Sequence, residues 1–98
     1  MTINKTQNGT TLNVDLEGRL DTTTAPQLEA ELKDSLDNAD KLVIDMKKLD
    51  YVSSAGLRVL LSSHKVMSKK GGMKITNPNE TIMEIFEVTG FSDILDIE

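Results

Sequence analysis

The first part of the chain alternates between apolar and polar positions, which is typical of a strand with one buried face. The alternating run consists of Leu12, Asn13, Val14, Asp15, Leu16 and Glu17. It follows Asn8-Gly9, a dipeptide in which both residues tolerate the positive φ of a type I′ turn. The pattern therefore predicts an N-terminal β-hairpin that turns at Asn8-Gly9.

Three later runs predict further strands. Residues 41–46 form a short apolar run between polar residues, which fits a strand buried on both faces. Residues 73–76 predict a short strand directly after Gly71-Gly72. At the end of the chain, Ile94, Leu95 and Ile97 predict a last short strand or a turn.

Apolar residues at helical spacing predict three helices. The first follows Thr24, which we interpret as an N-cap that forms a capping box with Gln27, with Pro26 in the first turn. Its buried stripe is Leu28, Leu32 and Leu36. The second helix covers residues 55–70 and ends at Gly71-Gly72. Its apolar stripe is Leu57, Leu60, Leu61, His64 and Met67.

The third predicted helix begins after Asn77, which we interpret as its N-cap. Pro78 takes the first helical position and Glu80 completes a capping box. The inward-facing residues are Ile82, Ile85 and Phe86. Gly90 ends the helix.

The predicted elements follow one another as strand, strand, helix, strand, helix, strand, helix, strand. Alternation of strands with helices implies crossovers onto a mainly parallel sheet, and the hairpin adds an antiparallel edge. We therefore expect one α/β domain over residues 1–98. Its mixed, mostly parallel sheet has four or five strands and packs against three or four helices.

Composition narrows the classes of function. The net charge is −5, and the chain has one tyrosine, two phenylalanines and no tryptophan. Nucleic-acid binding needs clustered cations or stacking aromatic rings, so we expect no nucleic-acid partner. With no cysteine and one histidine, we also expect no disulfide, no metal site and no cofactor.

The chain carries no signal for a membrane or for secretion. No apolar run approaches the roughly 20 residues that span a bilayer. The N-terminus lacks a charged head followed by an apolar stretch, so we expect no signal peptide. These features favour a cytoplasmic protein.

Nothing in the pattern indicates an enzyme. His64 lies ten residues after Ser54 in the same predicted helix, about 15 Å along its axis. A Ser–His dyad needs a separation of roughly 3 Å. There is no Gly-x-Ser-x-Gly elbow and no P-loop, so we expect a binding protein.

Two adjacent serines fall where a polar turn meets the second helix. Free amide groups at a helix N-terminus favour a hydroxyl cap, and they also tolerate a phosphate. From the residues alone, Ser54 is either the N-cap, with Ser53 in the turn, or a phosphate acceptor. Arg58 lies in the first turn, where the helix dipole disfavours a cation. It is either solvated, paired with an acid of a partner, or placed to hold a phosphate on Ser54.

The stretch at residues 51–61, with the sequence YVSSAGLRVLL, resembles the core motif of the bacterial STAS-domain anti-sigma-factor antagonist family. Further segments resemble the same family, namely Gly18-Arg19-Leu20-Asp21, Thr24-Ala25-Pro26, Gly71-Gly72 and the stretch at residues 85–91. The resemblance implies the STAS fold. In that family the serine two places before the motif glycine accepts a phosphate, and counting back from Gly56 gives Ser54. Ser53 stands where sigma-regulating members often have an aspartate.

The resemblance also implies a mechanism and its partners. The unphosphorylated protein would bind an anti-sigma factor of the serine-kinase type and displace a sigma factor. The kinase would phosphorylate Ser54, with Ser53 as the alternative acceptor, and a PP2C-like phosphatase would reverse the reaction. We expect the partner-binding surface to comprise Asp21, Thr22, Thr23, Ser53, Ser54, Ala55, Gly56 and Arg58. Asp21 is equally explained as a turn aspartate that caps local amide groups.

Two other functions remain open. One is a nucleotide- or anion-binding module that uses the turn at residues 53–56 as a cradle, although glycine-rich phosphate loops are missing. The other is a STAS interaction subunit that is not switched, for example in a lipid-transport complex. The serine at position 53, in place of the family aspartate, keeps this second alternative open.

Overall fold

Five strands form one mixed sheet in the computed structural model, which describes all 98 residues. The strands are β1 (Thr2–Asn8), β2 (Thr11–Leu20), β3 (Lys41–Val52), β4 (Met73–Thr76) and β5 (Asp96–Ile97). They lie in the order of their numbers, with β1 antiparallel to β2 and every other neighbouring pair parallel. The predicted hairpin edge and parallel sheet are both confirmed.

Three helices connect the strands. They are α1 (Ala25–Ser35), α2 (Ser54–Met67) and α3 (Glu80–Thr89), and short 3-10 turns follow α1 and α3 at Leu36–Asn38 and Phe91–Asp93. The order of strands and helices is the one that the hydrophobic pattern predicts. No helix is long and apolar enough to span a membrane.

All the helices cover the same face of the sheet. Neighbouring strands place Leu12 beside Leu42 and Leu42 beside Met73, and these side chains are buried. They belong to one cluster of 23 buried apolar residues that also contains Leu28, Leu60 and Phe86 from the three helices. The predicted stripe of α1, consisting of Leu28, Leu32 and Leu36, is buried. The helices and one face of the sheet therefore share a single core.

The prediction that β3 is buried on both faces is wrong. Val43 and Asp45 point away from the helices and are only partly buried. Their neighbours in the adjacent strands, Asn13 and Lys74 beside Val43, are polar and also remain accessible. An isolated valine among polar neighbours does not support a second helical layer, so this face of the sheet stays open.

The hairpin turns one residue later than predicted. Asn8 pairs with Thr11 as the last residue of β1, so the two turn residues are Gly9 and Thr10. Only Gly9 has a positive φ, of 64°, whereas a type I′ turn needs positive φ at both central residues. The predicted type I′ turn at Asn8-Gly9 is therefore wrong. Gly9 is instead the first turn residue, where the positive φ favours glycine.

The predicted capping box of α1 does not form. Thr24 occupies the N-cap position, but its side chain makes no capping hydrogen bond to the helix. Its hydroxyl instead donates to the carbonyl oxygen of Arg19 at 2.8 Å and accepts from the amide of Asp21 at 2.8 Å. Gln27 donates to the carbonyl oxygen of Met1 at 3.3 Å. Both side chains therefore hold neighbouring segments rather than the helix end.

The third helix begins two residues later than predicted. Asn79, not Asn77, is its N-cap, and its side-chain oxygen accepts from the amide of Ile82 at 2.8 Å. Asn77 has a φ of 56° and donates to Asp45 at 3.2 Å. The left-handed conformation of Asn77 lets the chain turn between β4 and α3. Gly90 ends the helix with a φ of 80°, as predicted.

Helix α2 is shorter than predicted and ends at Met67 rather than at residue 70. The ammonium group of Lys70 then reaches back to the end of α1, where it donates to the carbonyl oxygens of Leu36 at 2.7 Å and Ala39 at 3.1 Å. His64 is partly buried on α2, and its Nδ1 atom has no hydrogen-bond partner.

Candidate functional site

The predicted site forms where the loop between β2 and α1 meets the first turn of α2. The amide of Ser53 donates to the carbonyl oxygen of Leu20 at 2.8 Å. A Cβ atom at Gly56 would lie 2.6 Å from Cγ of Leu20 and 3.1 Å from its carbonyl oxygen. Only a glycine permits this approach, so Gly56 is a packing requirement of the motif. We call residues 21–24 together with residues 53–58 the serine surface.

Ser53, and not Ser54, caps helix α2. Ser53 has an extended backbone, with φ of −90° and ψ of 174°, and its hydroxyl accepts from the amide of Gly56 at 3.4 Å. The interpretation of Ser54 as the N-cap, with Ser53 in the turn, is therefore wrong. Ser54 is the first residue of the helix. Its side chain is exposed, and its hydroxyl makes no hydrogen bond within the protein.

The N-terminus of α2 is an electropositive end with no acidic residue in its own first turn. The first intrahelical bond runs from the amide of Leu57 to the carbonyl of Ser53, so the amides of Ser54 and Ala55 have no intrahelical acceptor. No acidic residue lies in the first turn. The partial positive charge of the helix end therefore faces the exposed hydroxyl of Ser54 uncompensated.

Asp21 organises the loop that faces this helix end. Its Oδ1 atom accepts from the hydroxyl of Thr23 at 2.7 Å, from the amide of Thr23 at 3.0 Å and from the amide of Thr24 at 3.2 Å. The hydroxyl of Thr23 is the main cause that lowers the pKa of the Asp21 carboxyl below 3.8, and the two amides add to it against some desolvation. Asp21 thus does the local capping that its turn position indicates.

Arg19 also contacts this loop, which the motif alone does not indicate. Gly18, Arg19 and Leu20 continue strand β2, with φ of 107° at Gly18. Arg19 pairs in register with Tyr51 of β3, and its guanidinium lies 4.6 Å from the centre of the tyrosine ring. Its Nε atom is 3.9 Å from Oδ2 of Asp21. The alternation of β2, extended by three residues to Leu20, is the signal that places Arg19 there.

A depression of about 240 Å³ opens between α1 and α2 at the edge of the serine surface. Its lining consists of Thr22, Ala25, Pro26, Glu29, Ala55, Arg58, Val59 and Ser62. Arg58 is exposed and forms no ion pair, including with Glu29 across the depression. Arg58 is four residues after Ser54, so the two side chains emerge on the same side of the helix.

The structure brings the predicted partner-binding residues into one region. Thr22, Ala55 and Arg58 line the depression. Asp21 and Thr23 hold the facing loop, while Ser53 and Gly56 set the geometry of the turn. Five further residues line the depression but lie outside the predicted surface, namely Ala25, Pro26, Glu29, Val59 and Ser62. The sequence does not show that α1 lies beside α2.

Comparison with known proteins identifies the family of the chain. The family model of the STAS domain matches residues 2–98. The anti-sigma-B factor antagonist of Bacillus subtilis strain 168 is 34% identical over 92 residues, which cover 93% of this chain and 84% of that protein.

Two solved structures show the same fold. An anti-sigma factor antagonist from Mycobacterium paratuberculosis superimposes with a TM-score of 0.88 at 23% identity, over 98% of this chain and 83% of that one. The Bacillus cell fate determinant SpoIIAA in its phosphorylated form superimposes with a TM-score of 0.77 at 17% identity. The match covers 99% of this chain and 91% of that one. Since the family match covers nearly every residue, the chain belongs to the STAS domain family, as its serine motif and the surrounding glycines indicated.

Proposed function

We propose that this protein is an anti-sigma-factor antagonist whose binding to an anti-sigma factor is switched off by phosphorylation of Ser54. The observation that carries the proposal is the free, exposed hydroxyl of Ser54 at the uncompensated N-terminus of α2, beside the loop at residues 21–24. The relative from Bacillus subtilis, which is named an anti-sigma-B factor antagonist, supports the same function.

Ser54 is a better acceptor than Ser53 for a structural reason. The hydroxyl of Ser53 is partly buried and accepts a hydrogen bond from the amide of Gly56. Its modification would place a bulky phosphate on an oxygen that already caps α2. The hydroxyl of Ser54 is exposed and unbonded, so a kinase reaches it without disturbing the fold.

A phosphate on Ser54 changes the surface rather than the fold. It adds about −1.5 to −2 charges next to helix amides that have no acceptor, where an anion is favourable. Arg58, one turn further along and without an ion pair, is placed to pair with the phosphate. A docked partner would then face a strongly hydrated dianion. A loss of about 3 kcal/mol would weaken binding roughly 100-fold, which is enough for a switch.

The proposed cycle has three partners. The unphosphorylated protein binds an anti-sigma factor of the serine-kinase type through the serine surface, and a sigma factor is released. The kinase then phosphorylates Ser54, and a PP2C-like phosphatase restores the free hydroxyl. The protein acts in this cycle by binding, and the serine is the substrate of its partner.

The test is a phosphotransfer and binding experiment. The protein is incubated with ATP, Mg²⁺ and each serine-kinase anti-sigma factor of its host, and the phosphate is mapped by mass spectrometry. We expect one phosphate on Ser54. Calorimetry should show that the unphosphorylated form binds the same kinase and that the phosphorylated form binds roughly 100-fold more weakly.

Two serine variants serve as controls. Ser54→Ala should retain binding and lose phosphorylation, whereas Ser53→Ala should retain both because its neighbour is intact. Transfer to Ser53 in the wild type would identify the alternative acceptor. Binding without transfer from any kinase would contradict the switch and favour a STAS interaction subunit of fixed activity. Failure to bind any anti-sigma factor would contradict the proposed function itself.

A further inference from the structure

Helix α3 carries an apolar surface that the core covers only in part. Val88 is the most exposed large apolar side chain of the protein, at 87%. Ile85, one turn earlier, packs against the core but keeps part of its side chain accessible. A shallow depression of about 340 Å³ lies over them, lined by Glu84, Ile85, Val88 and Thr89. We call these four residues the α3 patch. Single exposed valines are common, so the apolar surface alone does not indicate a binding site. The charge of the same helix is the second observation.

The part of the chain that carries the α3 patch has charged residues of one sign only. Residues 75–98 contain six acidic residues and no lysine or arginine: Glu80, Glu84, Glu87, Asp93, Asp96 and Glu98. Since the whole chain carries −5, the other 74 residues carry +1. None of the three glutamates of α3 takes part in an ion pair. The negative charge of the chain is thus concentrated on the C-terminal part and is uncompensated on α3.

The negative charge limits which molecules could bind the α3 patch. A nucleic acid and an anionic membrane are both repelled by it. A second copy of the chain would bring the same three glutamates against them. A cationic protein surface with an apolar centre is attracted by the charge and covers Val88. Ile85 and Val88 are three residues apart on one helix face, a ridge against which another helix packs.

We propose that the α3 patch is a docking site for a basic amphipathic helix of a partner protein, separate from the serine surface. Asn79, at the start of α3, donates to the carbonyl oxygen of Leu49 in β3 at 3.1 Å, so the first turn of the helix is attached to the sheet. Val88 lies nine residues further on, roughly 13 Å along the axis. The patch therefore lies at the opposite end of α3 from Asn79. Binding at the patch would be an activity in addition to the one proposed for Ser54.

The test uses two synthetic peptides with the same leucine face. In one peptide the polar face is lysine, and in the other it is glutamate. Each is titrated into isotope-labelled protein and followed by NMR. We expect the lysine peptide to shift the amide resonances of residues 84–89. Val88→Asp should weaken this binding by about tenfold or more, whereas the control Val66→Asp, at a valine of α2 that is 44% exposed, should not change it.

Three results would overturn the proposal. They are equal binding of the glutamate peptide, resonance shifts confined to other elements, and an unchanged affinity in both Val88→Asp and the charge reversal Glu84→Lys. Sedimentation that shows a dimer dissociated by Val88→Asp would assign the patch to a second copy instead. Binding of anionic vesicles that is lost in the same variant would assign it to a membrane. Ser54→Glu should leave peptide binding unchanged, which separates this test from that of the proposed function.

Discussion

At the scale of single residues, Ser53 and Ser54 differ in what their hydroxyls do, and their substitution should differ accordingly. Ser53→Ala removes the N-cap of α2 and should lower the free energy of unfolding by about 1 kcal/mol. Ser54→Ala removes an unbonded hydroxyl and should change it by less than about 0.5 kcal/mol. Ser53→Asp should be as stable as the wild type, because aspartate caps equally well and suits the helix dipole. Urea denaturation measures all three, and equal losses for both alanine variants would contradict the assigned cap.

The carboxyl of Asp21 gives a second prediction at this scale. Its pKa lies below 3.8, mainly because the hydroxyl of Thr23 donates to it. A carboxyl with a lowered pKa contributes stability above its ordinary pKa, and this contribution is lost as the pH falls through the lowered value. In an NMR titration, Thr23→Val should raise the pKa of Asp21 towards 3.8. Thr22→Val, whose hydroxyl makes no bond to Asp21, is the matched control. A pKa unchanged by Thr23→Val would show that the backbone amides and the hydroxyl of Thr24 set it.

At the scale of elements, the contact between the end of β2 and the start of α2 depends on Gly56. Gly56→Ala should lower the free energy of unfolding by about 1–3 kcal/mol, because the new methyl group collides with Leu20. Alanine is the better helix former, by about 1 kcal/mol, so any loss is due to the contact. In a double-mutant cycle, the cost of Gly56→Ala should fall in a Leu20→Ala background. An additive cycle would place the strain elsewhere.

The ends of α1 and α2 are joined by Lys70. Its ammonium group donates to two carbonyl oxygens that follow α1, those of Leu36 and Ala39. Lys70→Met keeps the aliphatic chain but loses both bonds, and we expect a thermal-unfolding loss of about 1 kcal/mol. Lys69→Met makes the same change in charge at a neighbouring exposed lysine that forms no such bond. A similar loss in both variants would attribute the effect to net charge.

The spacing of apolar residues predicted the order of the strands and helices and the buried stripe of α1. Both follow from the burial of one face of each element, which the spacing records. The helix starts were less predictable. Around each start several capping side chains compete, and contacts distant in sequence decide between them. Asp45 engages Asn77, and the carbonyl of Arg19 engages Thr24. The same holds for the site, where the motif indicated the serines but the contact of Arg19 with Tyr51 depends on strand register.

At the scale of the whole molecule, one core cluster of 23 residues joins all the helices to the sheet. A chain of this size with one core should unfold in a single cooperative transition. Far-ultraviolet circular dichroism reports the helices, and the emission of Tyr51, the only tyrosine, reports the end of β3. The two midpoints in urea should coincide. Separate midpoints would mean that the helical layer unfolds independently of the sheet.

The division of tasks between Ser53 and Ser54 has a consequence for how such a protein changes over generations. The hydroxyl of Ser53 caps the helix and contributes to stability, whereas the exposed hydroxyl of Ser54 makes no hydrogen bond within the fold. Under the proposed switch, a substitution at residue 54 would therefore abolish regulation at almost no cost in folding. A lineage that needs a permanently active binder would then require one substitution at that position, with the rest of the domain unchanged.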